Sequence, residues 1–354
     1  MEKINNVNLT NLESPIMLSW DVTNKCNLHC KHCFNSSADT NIHNFNDELN
    51  FNQVKDLIKQ VIEVKPYSFC ICGGEPTLFP YLEYVAKSLT KEGINTNMVS
   101  NGYFIDLEKA KWIKKIGIGL VQVSLDGAKP ETHDKFRCFD GAFEKAVKAL
   151  ELLNDVGLDT AVSFCPNKKN LEEFKDLVKI AHKVGCTNIR IMPLLPMGRG
   201  LKNFKDLSLD NNGYVKLMVY ISEMKIKFPD VRIEWGDPIE HLYIANYIRD
   251  VPICIEIKSN GDIGISNYLP ITVGNVKRHT IKEYWDAGLK NIWKDKRAKH
   301  FSKQIISVYD FAFLDIPTWN TKRYKFDLID NYNLNEDKKS KKRRYILCEG
   351  YMDV

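Results

Sequence analysis

Cys26, Cys30 and Cys33 stand in the run Cys26-Asn27-Leu28-His29-Cys30-Lys31-His32-Cys33, a C-x3-C-x2-C spacing. Ordinary zinc and iron–sulfur sites take four protein ligands, and here the local set stops at three. Three thiolates on one short loop can hold three irons of a cubane [4Fe–4S] cluster and leave the fourth iron to an outside ligand. An incomplete shell marks a metal centre that does chemistry. Two plainer readings use the same residues: a zinc site completed by His29 or His32, or three unrelated buried thiols.

The elements that would position these cysteines can be read around them. Ile16 to Val22 is apolar and strand-like, Phe34 to Leu49 is polar and loop-like, and a helical period starts near Phe51. The cysteines therefore fall on the loop at the C-terminal end of a first strand, where α/β proteins place their chemistry. A second stretch, Cys72-Gly73-Gly74-Glu75-Pro76-Thr77, follows the apolar run Ser68 to Ile71 and precedes a helix from Tyr81. Paired glycines let a backbone approach a ligand without a Cβ clash. Gly-Gly before Glu-Pro is also good turn chemistry. Val99-Ser100-Asn101-Gly102 closes a third strand from Asn95, and Val121 to Gly127 closes a fourth.

The three-cysteine loop after a first strand resembles the radical S-adenosylmethionine (SAM) superfamily, and Gly73-Gly74-Glu75-Pro76 resembles that family's GGEP motif. The resemblance implies that Cys26, Cys30 and Cys33 bind a [4Fe–4S] cluster and that SAM chelates its open iron. It places Gly73, Gly74 and Glu75 at the SAM amino group, and Ser100, Ser124 and Asp126 near SAM. His32 stands where the family usually has an aromatic residue near the adenine. His133 to Arg137 resembles a segment of the peptide-modifying branch in which an arginine meets the SAM carboxylate, a match of guanidinium fork to carboxylate. Arg137 also suits a surface salt bridge, and Asp126 a turn before Gly127.

The same rhythm continues. Thr160 to Phe164 reads as a fifth strand, Leu171 to Val184 as a helix, and Asn188 to Met192 as a sixth strand. The helices carry apolar residues at three- and four-residue steps, as in Val54, Leu57, Ile58, Val61 and Ile62. Six strand–helix alternations predict a parallel α/β sheet with helices outside it. The resemblance implies a partial (β/α)6 radical SAM barrel, open on one side. It places Asn167 and Asn170 near the ribose, and Arg199 at the end of the sixth strand. For these three residues, solvation of a loop is the alternative.

The chain has 354 residues, room for a catalytic domain over 16–232 and a smaller α+β extension over 233–354, after an N-terminal segment, 1–15. A formal charge of +5 gives no case for nucleic acid. No apolar run is long enough for a membrane span, and there is no secretion signal. Ten cysteines in that context are expected as reduced thiols in a cytoplasm. With 25 residues ahead of Cys26, no added peptide-binding domain is expected there.

The extension opens with Val251 to Cys254, then two β-segments joined by Asn260-Gly261, a hairpin signal. A helix from Ile281 through Trp285 follows. This order resembles the SPASM or "twitch" extension of peptide-modifying radical SAM enzymes, which carries cysteines for auxiliary clusters. Cys254 fits the first such place, Ser266 occupies the second, and only Cys348 lies further on. The extension is expected to keep its fold without an auxiliary cluster. The charge run Asp337 to Arg344 reads as a solvated tail or as a dock for an acidic partner. The aromatic stretch Tyr309 to Trp319 reads as packing over the barrel mouth or as the lining of a substrate groove.

The resemblance thus implies reductive cleavage of SAM at one [4Fe–4S] cluster to a 5′-deoxyadenosyl radical, which takes hydrogen from a substrate C–H bond. The electron would come from a flavodoxin or ferredoxin. The expected substrate is a ribosomally made precursor peptide. The alternatives are a small-molecule or tetrapyrrole cofactor precursor, and a metal-binding module without catalysis. Cys70, Cys72, Cys138, Cys165 and Cys186 include candidate hydrogen donors, though packing explains each.

Overall fold

The computed structural model describes residues 12–269, 271–313 and 324–330. Its first seven strands are β1 (Met17–Asp21), β2 (Ser68–Cys72), β3 (Asn95–Ser100), β4 (Leu120–Ser124), β5 (Asp159–Phe164), β6 (Asn188–Ile191) and β7 (Arg232–Trp235). They pair in parallel in chain order. On the other side of β1 lies β8 (Cys254–Ile257), parallel to it. Then come β9 (Asp262–Gly264), β10 (Ile271–Asn275) and β11 (Tyr324–Lys325), which complete one open sheet of eleven strands in the order β11-β10-β9-β8-β1-β2-β3-β4-β5-β6-β7.

The expected six parallel strands are all present, and the structure adds two things. A seventh parallel strand follows the sixth. Its signal is weak, because Val231, Ile233 and Trp235 alternate with charged residues over a very short span. The extension also does not stand apart: through β8 it pairs with β1, so its strands prolong the same sheet. The expected boundary at 232/233 falls inside β7.

Alternation with period two explains the two faces. Leu18, Trp20, Phe69, Ile71, Met98, Val121, Val123, Val162, Phe164 and Ile189 are buried on one face. There they meet the apolar stripes of the helices. In α1 (Phe51–Val64), Val54, Leu57, Ile58 and Val61 are buried, and the helix starts at a capping box of Asn50 and Gln53. The stretch expected as one helix from Leu171 opens with a 3-10 turn, Leu171–Glu173, before the α-helix Phe174–Lys183. The other face carries Ser19, Asp21, Cys70, Cys72, Asn97, Gln122, Ser124 and Arg190. A parallel sheet is normally covered by apolar packing on both sides. This polar face is instead suited to ligand and water.

The hairpin forms as expected, with Gly261 at φ +88°, a conformation that glycine adopts freely. The helix Ile281–Asp286 begins at a capping box of Thr280 and Glu283 and buries Ile281, Tyr284 and Trp285. Among the described residues, no helix is long and apolar enough to cross a membrane. The basic run 337–344, Cys348, most of the N-terminal segment and residues 314–319 of the aromatic stretch lie outside the described residues.

Candidate active site at the C-terminal end of the sheet

The cysteine loop leaves β1 and is bound at once to the turn after β2. Gly74 N–H donates to Thr23 O at 2.6 Å and Glu75 N–H to Lys25 O at 2.8 Å. A Cβ at Gly73 would lie 2.5 Å from Thr23 O, and one at Gly74 only 2.1 Å from Lys25 O. The two glycines are therefore required by the approach of one loop to the other. That approach fixes the cysteine loop against the Gly-Gly-Glu turn.

Glu75 is fully buried. Its carboxylate accepts from Thr77 N at 3.1 Å, Thr77 Oγ1 at 2.7 Å, Ser100 Oγ at 2.9 Å and Asn101 N at 2.8 Å. Burial pushes its carboxyl above the ordinary range, and those donors work against that shift. Glu75 and Ser100 thus tie the turn after β2 to the end of β3. Asn101, next to Ser100 at the end of β3, reaches back to the cysteine loop. Its Nδ2 donates to Asn27 Oδ1 at 2.8 Å and lies 3.9 Å from Cys26 Sγ.

The cysteine loop carries hydrogen-bond donors on two of its sulfurs, a setting that suits a thiolate-ligated cluster. All nine described cysteines are free. Cys26 Sγ accepts from Leu28 N–H at 3.5 Å, and Cys30 Sγ from Arg137 Nη1 at 3.6 Å. Such donors aimed at sulfur are what cluster thiolates require. Burial pushes the Cys26 thiol up to about 12 and also raises Cys30. Among the described residues, no group of three or more His, Cys, Asp or Glu converges on a single metal ion.

His32 stacks on Phe136 with centroids 4.2 Å apart and planes at 12°. Burial keeps it well below its usual pKa, hence neutral, and its Nδ1 is buried without a hydrogen-bond partner. That leaves one ring nitrogen for a ligand's polar edge.

Asp126 and Arg137 find each other. Asp126 is 0 % exposed and Arg137 8 %. Arg137 Nε donates to Asp126 Oδ2 at 2.7 Å, and Nη2 reaches the same oxygen. Asp126 Oδ1 accepts Cys165 N–H at 2.7 Å. Neither residue is the surface or turn feature that its sequence also allowed. Ser124 is partly exposed on the polar face at the end of β4. Asn167 and Asn170 are buried. Asn167 Oδ1 accepts Lys169 N–H, and Asn170 Nδ2 donates to Asp126 O and Cys165 O, both at 2.9 Å. Arg199 does not solvate a loop: its Nε donates to Cys30 O at 2.9 Å and its Nη1 to Ser37 O at 2.8 Å.

One buried charge group beside the site belongs to no motif. Lys258 Nζ bridges Asp21 (2.9 Å) and Glu256, joining β1 and β8 inside the protein. The alternation Glu256-x-Lys258 was the available signal. Cys70 and Cys72, on the polar face of β2, bring their sulfurs to 3.3 Å. In the extension, Cys254 Sγ lies 3.9 Å from Ser19 Oγ, and Ser266 Oγ is 3.3 Å from His241 Nε2.

Residues 20–181 match the family profile of the Radical SAM superfamily. The chain is 25% identical over 294 residues to the AdoMet-dependent heme synthase of Methanosarcina barkeri, covering 77% of this chain and 82% of that protein. It is 34% identical over 197 residues to the mycofactocin maturase MftC of Mycolicibacterium smegmatis, covering 55% of this chain and 49% of that protein. The chain thus spans about half the length of that maturase. In fold it is similar to Streptococcus suis SuiB bound to its precursor peptide SuiA, with a TM-score of 0.65 at 15% identity, over 84% of this chain and 68% of that one. With the three cysteines, the Gly-Gly-Glu turn and the parallel sheet in place, residues 20–181 form a radical SAM domain, and the protein is an enzyme.

Proposed function

We propose that Cys26, Cys30 and Cys33 hold a single [4Fe–4S] cluster that binds SAM, and that the enzyme matures a ribosomally made peptide. When bound, the cluster and SAM supply a 5′-deoxyadenosyl radical able to take hydrogen from an unactivated C–H bond. The residues of this chain bind, orient and shield. The turn Gly73-Gly74-Glu75 offers its backbone to the SAM amino group, with Glu75 and Ser100 holding that backbone still. Ser124 and Arg137, fixed by Asp126, serve the carboxylate end. His32 offers its free Nδ1 to the adenine, and Asn167 shapes the loop toward the ribose. The polar face of the sheet would hold the substrate and keep one C–H bond within reach.

The observation that carries this reading is the cysteine loop pinned to the Gly-Gly-Glu turn with hydrogen-bond donors on two of its sulfurs. A peptide substrate is supported by the maturase relative and by the fold shared with SuiB. The heme synthase, similar over more of the chain, supports a second reading in which a tetrapyrrole or other small precursor is the substrate. A single cluster is supported by Ser266, which sits beside His241 at the place where the resemblance to a SPASM or twitch extension implies a cysteine. A low-potential flavodoxin or ferredoxin would deliver the electron, in a cytoplasm.

Anaerobic reconstitution tests the reading. About four irons per chain are expected, one cubane, together with reductant-dependent release of 5′-deoxyadenosine. Alanine at Cys26, Cys30 or Cys33 should abolish both. Bound zinc without SAM cleavage overturns the enzyme reading, and about eight irons overturns the single cluster. A short peptide encoded beside the gene should change mass on turnover; turnover of a tetrapyrrole precursor instead favours the second reading.

A further inference from the structure

Arg137 is the last residue of the helix Pro130–Arg137, which stops at Cys138 in a left-handed conformation, φ +55°. The side chain turns inward and is buried. A buried guanidinium requires compensation. Asp126 supplies it, and the Cys165 N–H holds that carboxylate in place. The third nitrogen, Nη1, is left to point at Cys30 Sγ, 3.6 Å away. The distance is set by backbone as well, because Lys31 N–H donates to Phe136 O at 2.9 Å and so ties the cysteine loop to the end of the helix.

The three sulfurs are thereby unequal. Cys26 has neutral donors, Leu28 N–H and the more distant Asn101 amide. Cys33 Sγ has no hydrogen-bond donor among the described residues. The donor on Cys30 is the charged one, the Arg137 guanidinium. A charged N–H···S bond draws electron density off the thiolate and stabilises the more negative, reduced state of a cluster.

We propose that Arg137 is a positioning residue that raises the reduction potential of the cluster through Cys30, and that Asp126 limits how far. The inference rests on the cluster assignment made above. Removing the guanidinium should leave Cys30 a stronger electron donor and make reduction harder. Neutralising Asp126 should leave the guanidinium less compensated and make reduction easier. A merely structural role predicts no such opposition of sign.

The test is a potentiometric titration, followed by electron paramagnetic resonance, of reconstituted full-length protein without SAM. Arg137→Gln should shift the midpoint to more negative potential, Arg137→Lys should recover part of that shift, and Asp126→Asn should move it the other way. Unchanged midpoints at full iron content, or shifts of the same sign in Arg137→Gln and Asp126→Asn, overturn the proposal. If Arg137→Gln fails to keep its iron, Asp126→Asn decides: a rise supports the proposal, and no change or a fall overturns it. Wild-type protein that takes up no cluster would instead defeat the cluster assignment, a separate and visible failure.

Discussion

Alanine at Gly74 should damage the site by crowding alone. Gly74 does not have a positive φ, so the backbone conformation itself tolerates a side chain. The new Cβ, however, would lie 2.1 Å from Lys25 O, about 1.3 Å inside the 3.4 Å at which ordinary contact begins. Lys25 O is main chain and accepts the Glu75 N–H at 2.8 Å, so it cannot swing aside as a side chain would. Overpacking of this kind costs about 3 kcal/mol, the upper end of the usual range. With about 2.1 cal/mol/K of unfolding entropy per residue over 354 residues, that is a fall of about 4 °C in the melting midpoint. Lys25 also precedes Cys26, so the displaced carbonyl should lower iron uptake on reconstitution. Gly93→Ala is the control: its φ is +76° and nothing lies within 4 Å of a new Cβ. It should cost only the left-handed penalty, about 1–2 kcal/mol, or about 2 °C, at full iron content. If Gly74→Ala melts no lower than Gly93→Ala and takes up as much iron as wild type, the close approach is not what these glycines serve.

Glu75→Gln turns one acceptor into a donor facing Asn101 N–H or the Thr77 and Ser100 hydroxyls. Urea unfolding should show a loss of about 1–3 kcal/mol, and a variant as stable as wild type would contradict the network. Asp327 gives a pH signature. Burial alone would raise its carboxyl, but the N–H groups of Asp330 and Ile329, the Tyr284 hydroxyl and Arg278 outweigh this and hold it below the usual range. Because its folded pKa is depressed, its stabilisation is present above the unfolded value of about 3.9 and is lost as pH falls through the folded one. Asp327→Asn should therefore be less stable than wild type near neutrality, and the gap should narrow below about pH 4. A gap that is constant with pH would show that the ion pair and its donors contribute nothing.

Much of the architecture was legible because it is written locally. Period-two and helical apolar patterns located β1 to β6 and the helices between them. The Asn260-Gly261 turn located the hairpin. What was missed depended on distant partners. The pairing of β8 with β1 joins segments more than two hundred residues apart, and neither segment signals its neighbour. Asn167, Asn170 and Arg199 lie among main-chain carbonyls and amides, partners that no spacing reveals.

The sequence alone settled which groups are present for chemistry: three thiols on one loop, a Gly-Gly-Glu turn, and an arginine after the fourth strand. Cysteine spacing and turn chemistry act within a few residues, so they survive in a linear string. Which charge meets which sulfur was settled by folding. Asp126 and Arg137 are eleven residues apart, and Arg137 and Cys30 are 107 apart. They converge because parallel strands deliver their C-terminal loops to one end of the sheet. Burial there makes each unpaired charge costly, so the carboxylate, the guanidinium and the thiol are driven to pair.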